Sequence, residues 1–185
     1  MAYLLDANVF IAAKNLHYGL DFCPAFWDWV IERSAAGEVL SIEKVGDEVQ
    51  ALEDDLSAWA SARGPGFFRP PRPADLPALG EVAAWASSQQ YEPGAVNTFL
   101  QQADYYLVAQ ARSASHIVVT HEVPANSPKK IKIPNACLAL GITYMTPFAM
   151  LRRERARFVL GPSSASASKS PRPVTNSSEG RPPRG

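Results

Sequence analysis

Apolar residues along the chain fall into a few short runs set between longer stretches of helical period. Tyr3-Leu4-Leu5, Val39-Leu40-Ser41-Ile42, Ile117-Val118-Val119 and Ile142-Thr143-Tyr144 are too short for buried helices and rich in β-branched or aromatic residues, so they read as strands. Helical spacing predicts a helix from Asn8 to Lys14. A second starts at Pro24 and carries Phe26, Trp27, Val30 and Ile31 on one face until Gly37 stops it. Further helices are predicted over Lys44 to Leu52, Asp54 to Arg63, and Leu76 to Gln90. One long stretch follows from Pro93 through Ala111, then Pro134 to Leu140, and a last helix capped by Thr146-Pro147 that runs to about Phe158. Five prolines between residues 64 and 77 make that segment a loop around an extended Phe67-Phe68 piece. Strands that alternate with helices predict an α/β fold, a parallel sheet with helices on both faces. In such sheets a functional site lies beyond the carboxyl ends of the strands.

Composition narrows this to one globular domain. The 185 residues are 46% hydrophobic and 19% charged. The segment 161–185 differs: 15 of its 25 residues are Gly, Pro or Ser, and a disordered tail is expected there, after a folded domain of residues 1–160. No apolar run approaches the ~18–20 residues of a membrane span. Met1-Ala2-Tyr3 offers no basic leader, and Cys23 and Cys137 are too few and too far apart for a disulfide framework. These features predict a cytoplasmic protein with reduced thiols and no membrane partner. Net charge is zero, split into +3 on the tail and −3 on the body. A nucleic-acid binder that works by bulk charge is thereby excluded, so any such role must rest on a local site.

The acids supply that local chemistry. Asp6 follows the first strand, and Glu122 follows Ile117-Val118-Val119-Thr120-His121. Glu48 lies in VGDEV, two helical turns past the second strand, and Asp104 interrupts the apolar face of QQADYYLVAQA. Taken singly, Asp6 and Asp104 have a plain alternative as helix caps, Glu48 as a solvated helix charge and Glu122 as a loop carboxylate. Taken together at one sheet edge, four carboxylates repel strongly, and protonation or a bound divalent cation would relieve them. Carboxylates and water are the ligands that Mg²⁺ or Mn²⁺ prefers.

LLDANVF, SIEKVGDEV, ADYYLVAQA and IVVTHE, in this order and spacing, resemble the PIN-domain superfamily. AKNLHYGLDFCPAFWDWV and KIKIPNACLALGI are similar to a compact bacterial branch once catalogued only as a domain of unknown function. The resemblance covers residues 2–158. It implies a three-layer α/β/α sandwich and a metal-dependent endoribonuclease whose acids are Asp6, Glu48, Asp104 and Glu122, holding Mg²⁺ or Mn²⁺. It further implies an RNA substrate cut to 5′-phosphate and 3′-hydroxyl ends. As in VapC-type toxins, a cognate antitoxin would block the site, and such toxins are commonly homodimers. Asn8 matches the polar residue that orients a ligand carboxylate or water, and Thr120 matches the hydroxyl residue at the later strand's end. The fourth acid is usually Asp. Glu122 is one methylene longer, which points to a water-mediated or supporting role there as the alternative to direct ligation.

Among the basic residues, Lys14 lies near the first motif and Lys132 beside the last, and both are candidates to hold substrate phosphates, as are Lys129 and Lys130. His17, His116, His121 and the cysteines lack zinc-ligand spacing, and no Gly-rich phosphate loop is present. A phosphoenzyme built on Asp6 would call for a second Asp at position 8, where Asn8 stands. A PIN-like module that binds RNA or protein without cutting remains the alternative to the nuclease.

Overall fold

The structure, a computed structural model, describes residues 1–159 of the chain; the segment 161–185, expected to be a disordered tail, lies outside them. Five strands form one parallel sheet: β1 (Tyr3–Leu5), β2 (Val39–Ile42), β3 (Phe68–Arg69), β4 (Ile117–Val119) and β5 (Tyr144–Met145), in the order β3-β2-β1-β4-β5. The helices are α1 (Ala7–Ala12), α2 (Pro24–Ala35), α3 (Glu43–Gln50), α4 (Asp55–Ser61), α5 (Leu76–Ser88), α6 (Pro93–Gln101), α7 (Ala103–Ala114), α8 (Ile133–Ala139) and α9 (Pro147–Arg153).

The chain winds from β1 outward to β3, then crosses back over β2 and β1 to β4 and β5. Right-handed crossovers in opposite directions place their helices on opposite faces, which gives the three-layer α/β/α sandwich. The β1, β2 and β4 residues are all buried, as expected of strands covered on both sides. On one face α7 packs on β2 and β4 with α5, α6 and α8 around it; on the other, α2 packs on β2. Because neighbouring connections leave β1 and β4 in opposite directions, a crevice opens between their carboxyl ends. Asp6 N–H donates to Val119 O at 3.0 Å, so the two strands stay in register up to that crevice.

Gly46 is needed for α3 to reach its place. A Cβ at this position would lie 2.8 Å from the Phe68 ring, so only glycine lets the helix settle onto β3. No helix among the described residues is long and apolar enough to cross a membrane.

Three sequence expectations are corrected. The stretch from Pro93 to Ala111 is two helices, broken where Gln102 takes extended backbone (φ −90°, ψ 162°). The last strand begins at Tyr144, opposite Val118, because Ile142 N–H instead donates to Cys137 O and closes the turn after α8. Helix α9 stops at Arg153 because Arg155 is left-handed (φ 53°), and Ala156 N–H reaches back to Leu151 O in a Schellman-like close. Phe158 thereby returns to pack against Tyr18, Phe26 and Trp29.

Candidate functional site

All four predicted acids line one cleft of about 290 Å³ at the carboxyl ends of β1 and β4, together with Asn8, Gln102 and Lys130. Each comes from a different element. Asp6 is the residue after β1, Glu48 lies on α3, Asp104 is in the first turn of α7, and Glu122 follows β4. The Gln102 break carries the arrangement: by restarting the helix at Ala103, it sets Asp104 at a helix N-terminus that faces the cleft.

Asp6 is 5% exposed, yet its side chain accepts no capping bond from the N–H groups of α1 beyond its immediate neighbour Ala7, which removes the plain alternative of a helix cap. Its Oδ2 accepts from the Thr120 hydroxyl at 2.8 Å. Thr120 Oγ1 in turn accepts from Asn8 Nδ2 (3.0 Å) and from the Glu122 N–H (3.0 Å). Asn8 Oδ1 accepts from the His121 N–H at 3.0 Å. Asn8 therefore orients the first acid through Thr120 and fixes the corner that leads to the fourth.

The electrostatics are crowded. Burial pushes the Asp6 carboxyl up to about 7, the Asp104 and Glu122 charges add to this, and the Thr120 and Ala7 hydrogen bonds only partly oppose it. Asp104 is pushed up to about 6, first by burial and then by the charges of Glu122 and Glu48, with Lys130 and Lys132 opposing. Burial also raises Glu48, the most open of the four. Among the described residues, no lysine or arginine hydrogen-bonds either aspartate.

Glu122 is treated differently. Its Oε1 accepts from Lys132 Nζ at 2.5 Å and its Oε2 from the Ile133 N–H at 2.9 Å. Both oxygens thus serve to anchor the start of α8. Lys132 lies at the site as expected, but as the partner of Glu122 and outside the cleft lining, which holds Lys130 instead.

Lys14 is not brought to the cleft. Its ammonium pairs with Asp54 (2.6 Å) and Asp55 (2.8 Å) at the start of α4, where Asp54 also caps that helix through the Ser57 N–H. Two adjacent carboxylates at a helix start outbid any looser contact, and neither was a candidate partner in the sequence. Gln102 was also missed. A lone glutamine in a helical run carries no signal; only the break in the helix exposes it.

The donor chemistry fits a hard divalent ion. Four carboxylates converge, the inner two lack a neutralising cation, and oxygen donors are what Mg²⁺ or Mn²⁺ prefers. Among the described residues, no three acidic, histidine or cysteine side chains already stand as a closed ligand set. The fit therefore lies in convergence and charge, with Asp6 and Asp104 at its centre.

Fold and site together define an α/β/α protein with an acidic cleft at its topological switch point. Residues 3–158 match the family described as "Domain of unknown function (DUF4411)", and the chain belongs to that family. No curated protein matches the chain in sequence. Among solved structures it is similar to a chain in the crystal structure of VapBC2 from Rickettsia felis bound to a DNA fragment from their promoter. The identity is 11% and the TM-score 0.49, over 79% of this chain and 98% of that one.

Proposed function

We propose that this chain is a PIN-type, divalent-metal-dependent endoribonuclease, acting as the toxin of a bacterial type II toxin–antitoxin pair. The observation that carries the reading is the crowding of Asp6 and Asp104 with Glu48 and Glu122 in one open cleft, where no lysine or arginine among the described residues hydrogen-bonds either aspartate. Such crowding destabilises the chain by itself, and strongly perturbed groups in a cleft mark functional sites. The sequence resemblance supplies the reaction class.

In this reading Asp6, Glu48 and Asp104 hold Mg²⁺ or Mn²⁺, with Glu122 in support. When bound, such an ion supplies an activated water and polarises the phosphodiester. The protein's own residues position these parts. Thr120 and Asn8 hold Asp6 in one orientation, and Lys130 brings a cation to the rim where a phosphate would approach. Lys132 neutralises Glu122 and keeps the loop closed. A cognate antitoxin and a homodimer belong to the same proposal, as does a cytoplasmic location.

End-labelled total RNA incubated with the purified chain in Mn²⁺ or in EDTA tests this, beside Asp104→Asn. Discrete fragments are expected with Mn²⁺ only, and none from the variant. A second reading, an RNA- or protein-binding module without turnover, draws on Glu122, whose two oxygens are already engaged. Intact RNA from a folded chain that binds Mn²⁺ would replace the first reading with this one.

A further inference from the structure

The acidic cleft continues past its carboxylates. Gln102 and Lys130 on its rim also line a second hollow of about 450 Å³, shared with Thr98 and Lys129. Beyond this lies a third recess of about 570 Å³, walled by Gln89, Gln90 and Tyr91 after α5 and by Asn126 and Ser127 of the loop opposite. The second and third hollows share no lining residue; Glu92 of the second donates its N–H to Pro128 O of the third at 2.9 Å, so this backbone bond spans the ridge between them. Asn135, also on the recess wall, clamps the loop, accepting from the Ala125 N–H at 3.0 Å and donating to Ala125 O at 2.9 Å. The loop wall of the recess is thus fixed by hydrogen bonds to α8 and to the start of α6.

We infer that this groove carries the substrate strand away from the acids, and that the third recess binds and reads an unpaired RNA base. The inference rests on the nuclease reading above. Single-stranded RNA is recognised by stacking on aromatic rings and by hydrogen bonds to exposed base edges. Carboxamides match such edges in both donor and acceptor, and Gln89, Gln90 and Asn126 are all exposed at the recess. Tyr91, half-buried and edge-on to Trp85 at 6.1 Å, offers the stacking surface. Lys129 and Lys130 stand between recess and acids, where the intervening phosphates would pass. The volume lies within the ~300–1,000 Å³ range of small-ligand sites. An apolar peptide would find few partners on these walls. A body without bulk positive charge also needs local contacts of this kind to hold RNA at all.

The test separates the groove from the chemistry. Fluorescein-labelled oligo(A), oligo(C) and oligo(U) RNAs of about 12 nucleotides are titrated in EDTA into the Asp104→Asn chain. They are then titrated into the same chain carrying Gln90→Ala with Asn126→Ala, or Tyr91→Ala. The parent is expected to prefer one oligomer, and the recess variants to bind it about tenfold more weakly and to level the three. Lys129→Ala with Lys130→Ala should weaken all three alike and reduce the salt dependence. Gln90 and Asn126 are exposed, so that pair reports on the recess even where Tyr91→Ala disturbs packing on Trp85. Equal affinities in the parent, or an unchanged preference in the recess variants, overturn the base site. If the unaltered chain cuts no RNA and the recess variants still lose their preference, the groove stands and the nuclease reading falls. If it cuts RNA and the recess variants keep both its affinity and its cut sites, the nuclease stands and the groove falls.

Discussion

The two ends of α7 hold acids under opposite terms. At its start, Asp104 faces Asp6, Glu48 and Glu122, and burial with like charge drives the inner carboxyls upward. At its far end, Ser113 donates to Ala74 O beside Asp75, whose carboxylate is fully buried. Burial alone would raise Asp75 as it raises Asp6. Arg72 reverses this: its backbone N–H (2.8 Å) and its guanidinium (Nη2 at 2.9 Å) both donate to Asp75, and with help from Ser113 they hold the carboxyl below its usual range. The same residue type, hidden from solvent in both places, is therefore a structural clasp at one end and a site of stored repulsion at the other. A cation bonded directly to the carboxylate accounts for the difference: Lys130 lines the cleft and Lys132 pairs with Glu122, but neither hydrogen-bonds Asp6 or Asp104.

The largest expected effect lies at the clasp. Asp75→Ala leaves the Arg72 N–H and guanidinium without their acceptor and should lower stability by about 2 kcal/mol, the scale of hydrogen bonds to a charged group, because Arg72 is more than half exposed and its charge can turn to water. Urea unfolding measures this. Mn²⁺ affinity per folded molecule should not change; a parallel loss of metal binding would show that the two ends of α7 are coupled.

At the cleft the sign reverses. Asp104→Asn removes a repelling charge and should raise stability without metal by about 1–2 kcal/mol at pH 8 while weakening Mn²⁺ binding. Asp6 and Asp104 hold their protons more tightly folded than unfolded, so their contribution is complete below pH 4 and is lost as pH rises through about 6 and about 7. The gain from Asp104→Asn should accordingly shrink toward zero by pH 4. His116 and His121, held below their usual range mainly by burial, tilt the window near pH 6 the other way. The difference between the two chains across pH removes that contribution. A gain of equal size at pH 4 and pH 8 would mean that charge crowding is not its cause.

This contrast was half legible in the sequence. Tyr3–Leu5, Val39–Ile42 and Ile117–Val119 are found where the apolar runs place them, because strands covered on both faces are almost wholly apolar; Ser41, the exception, donates its hydroxyl to Leu5 O. Placing those three fixes where Asp6 and Glu122 emerge, so convergence of the acids could be expected. The break at Gln102 could not: residues 93–111 keep helical period throughout, and the break is set by how α6 and α7 pack. Asp75 sits in a proline-rich loop whose packing against α7 has no local signal, although its chief partner, Arg72, is only three residues away. Lys14 stands away from the cleft for a tertiary reason, as Asp54 and Asp55 reach it only through the packing of α4. Period and punctuation are local and readable; which acid meets which cation is a tertiary fact.

Lys132 offers the finest test, because it gives one cleft acid the treatment that Asp75 receives. Its side chain is three-quarters buried, and the ammonium neutralises Glu122. Lys132→Met keeps the length of the apolar stem and removes the charge, leaving Glu122 with the Ile133 N–H alone. A fourth unpaired carboxylate then joins the cleft. Stability without metal should fall by about 0.5–1 kcal/mol, while Mn²⁺ binding tightens several-fold, the opposite on both counts to Asp104→Asn. Thermal melts with and without MnCl₂ read both at once. Weaker Mn²⁺ binding instead would mean that the ion needs the loop geometry Lys132 maintains more than it needs the extra charge, and Glu122 would then be a clasp like Asp75.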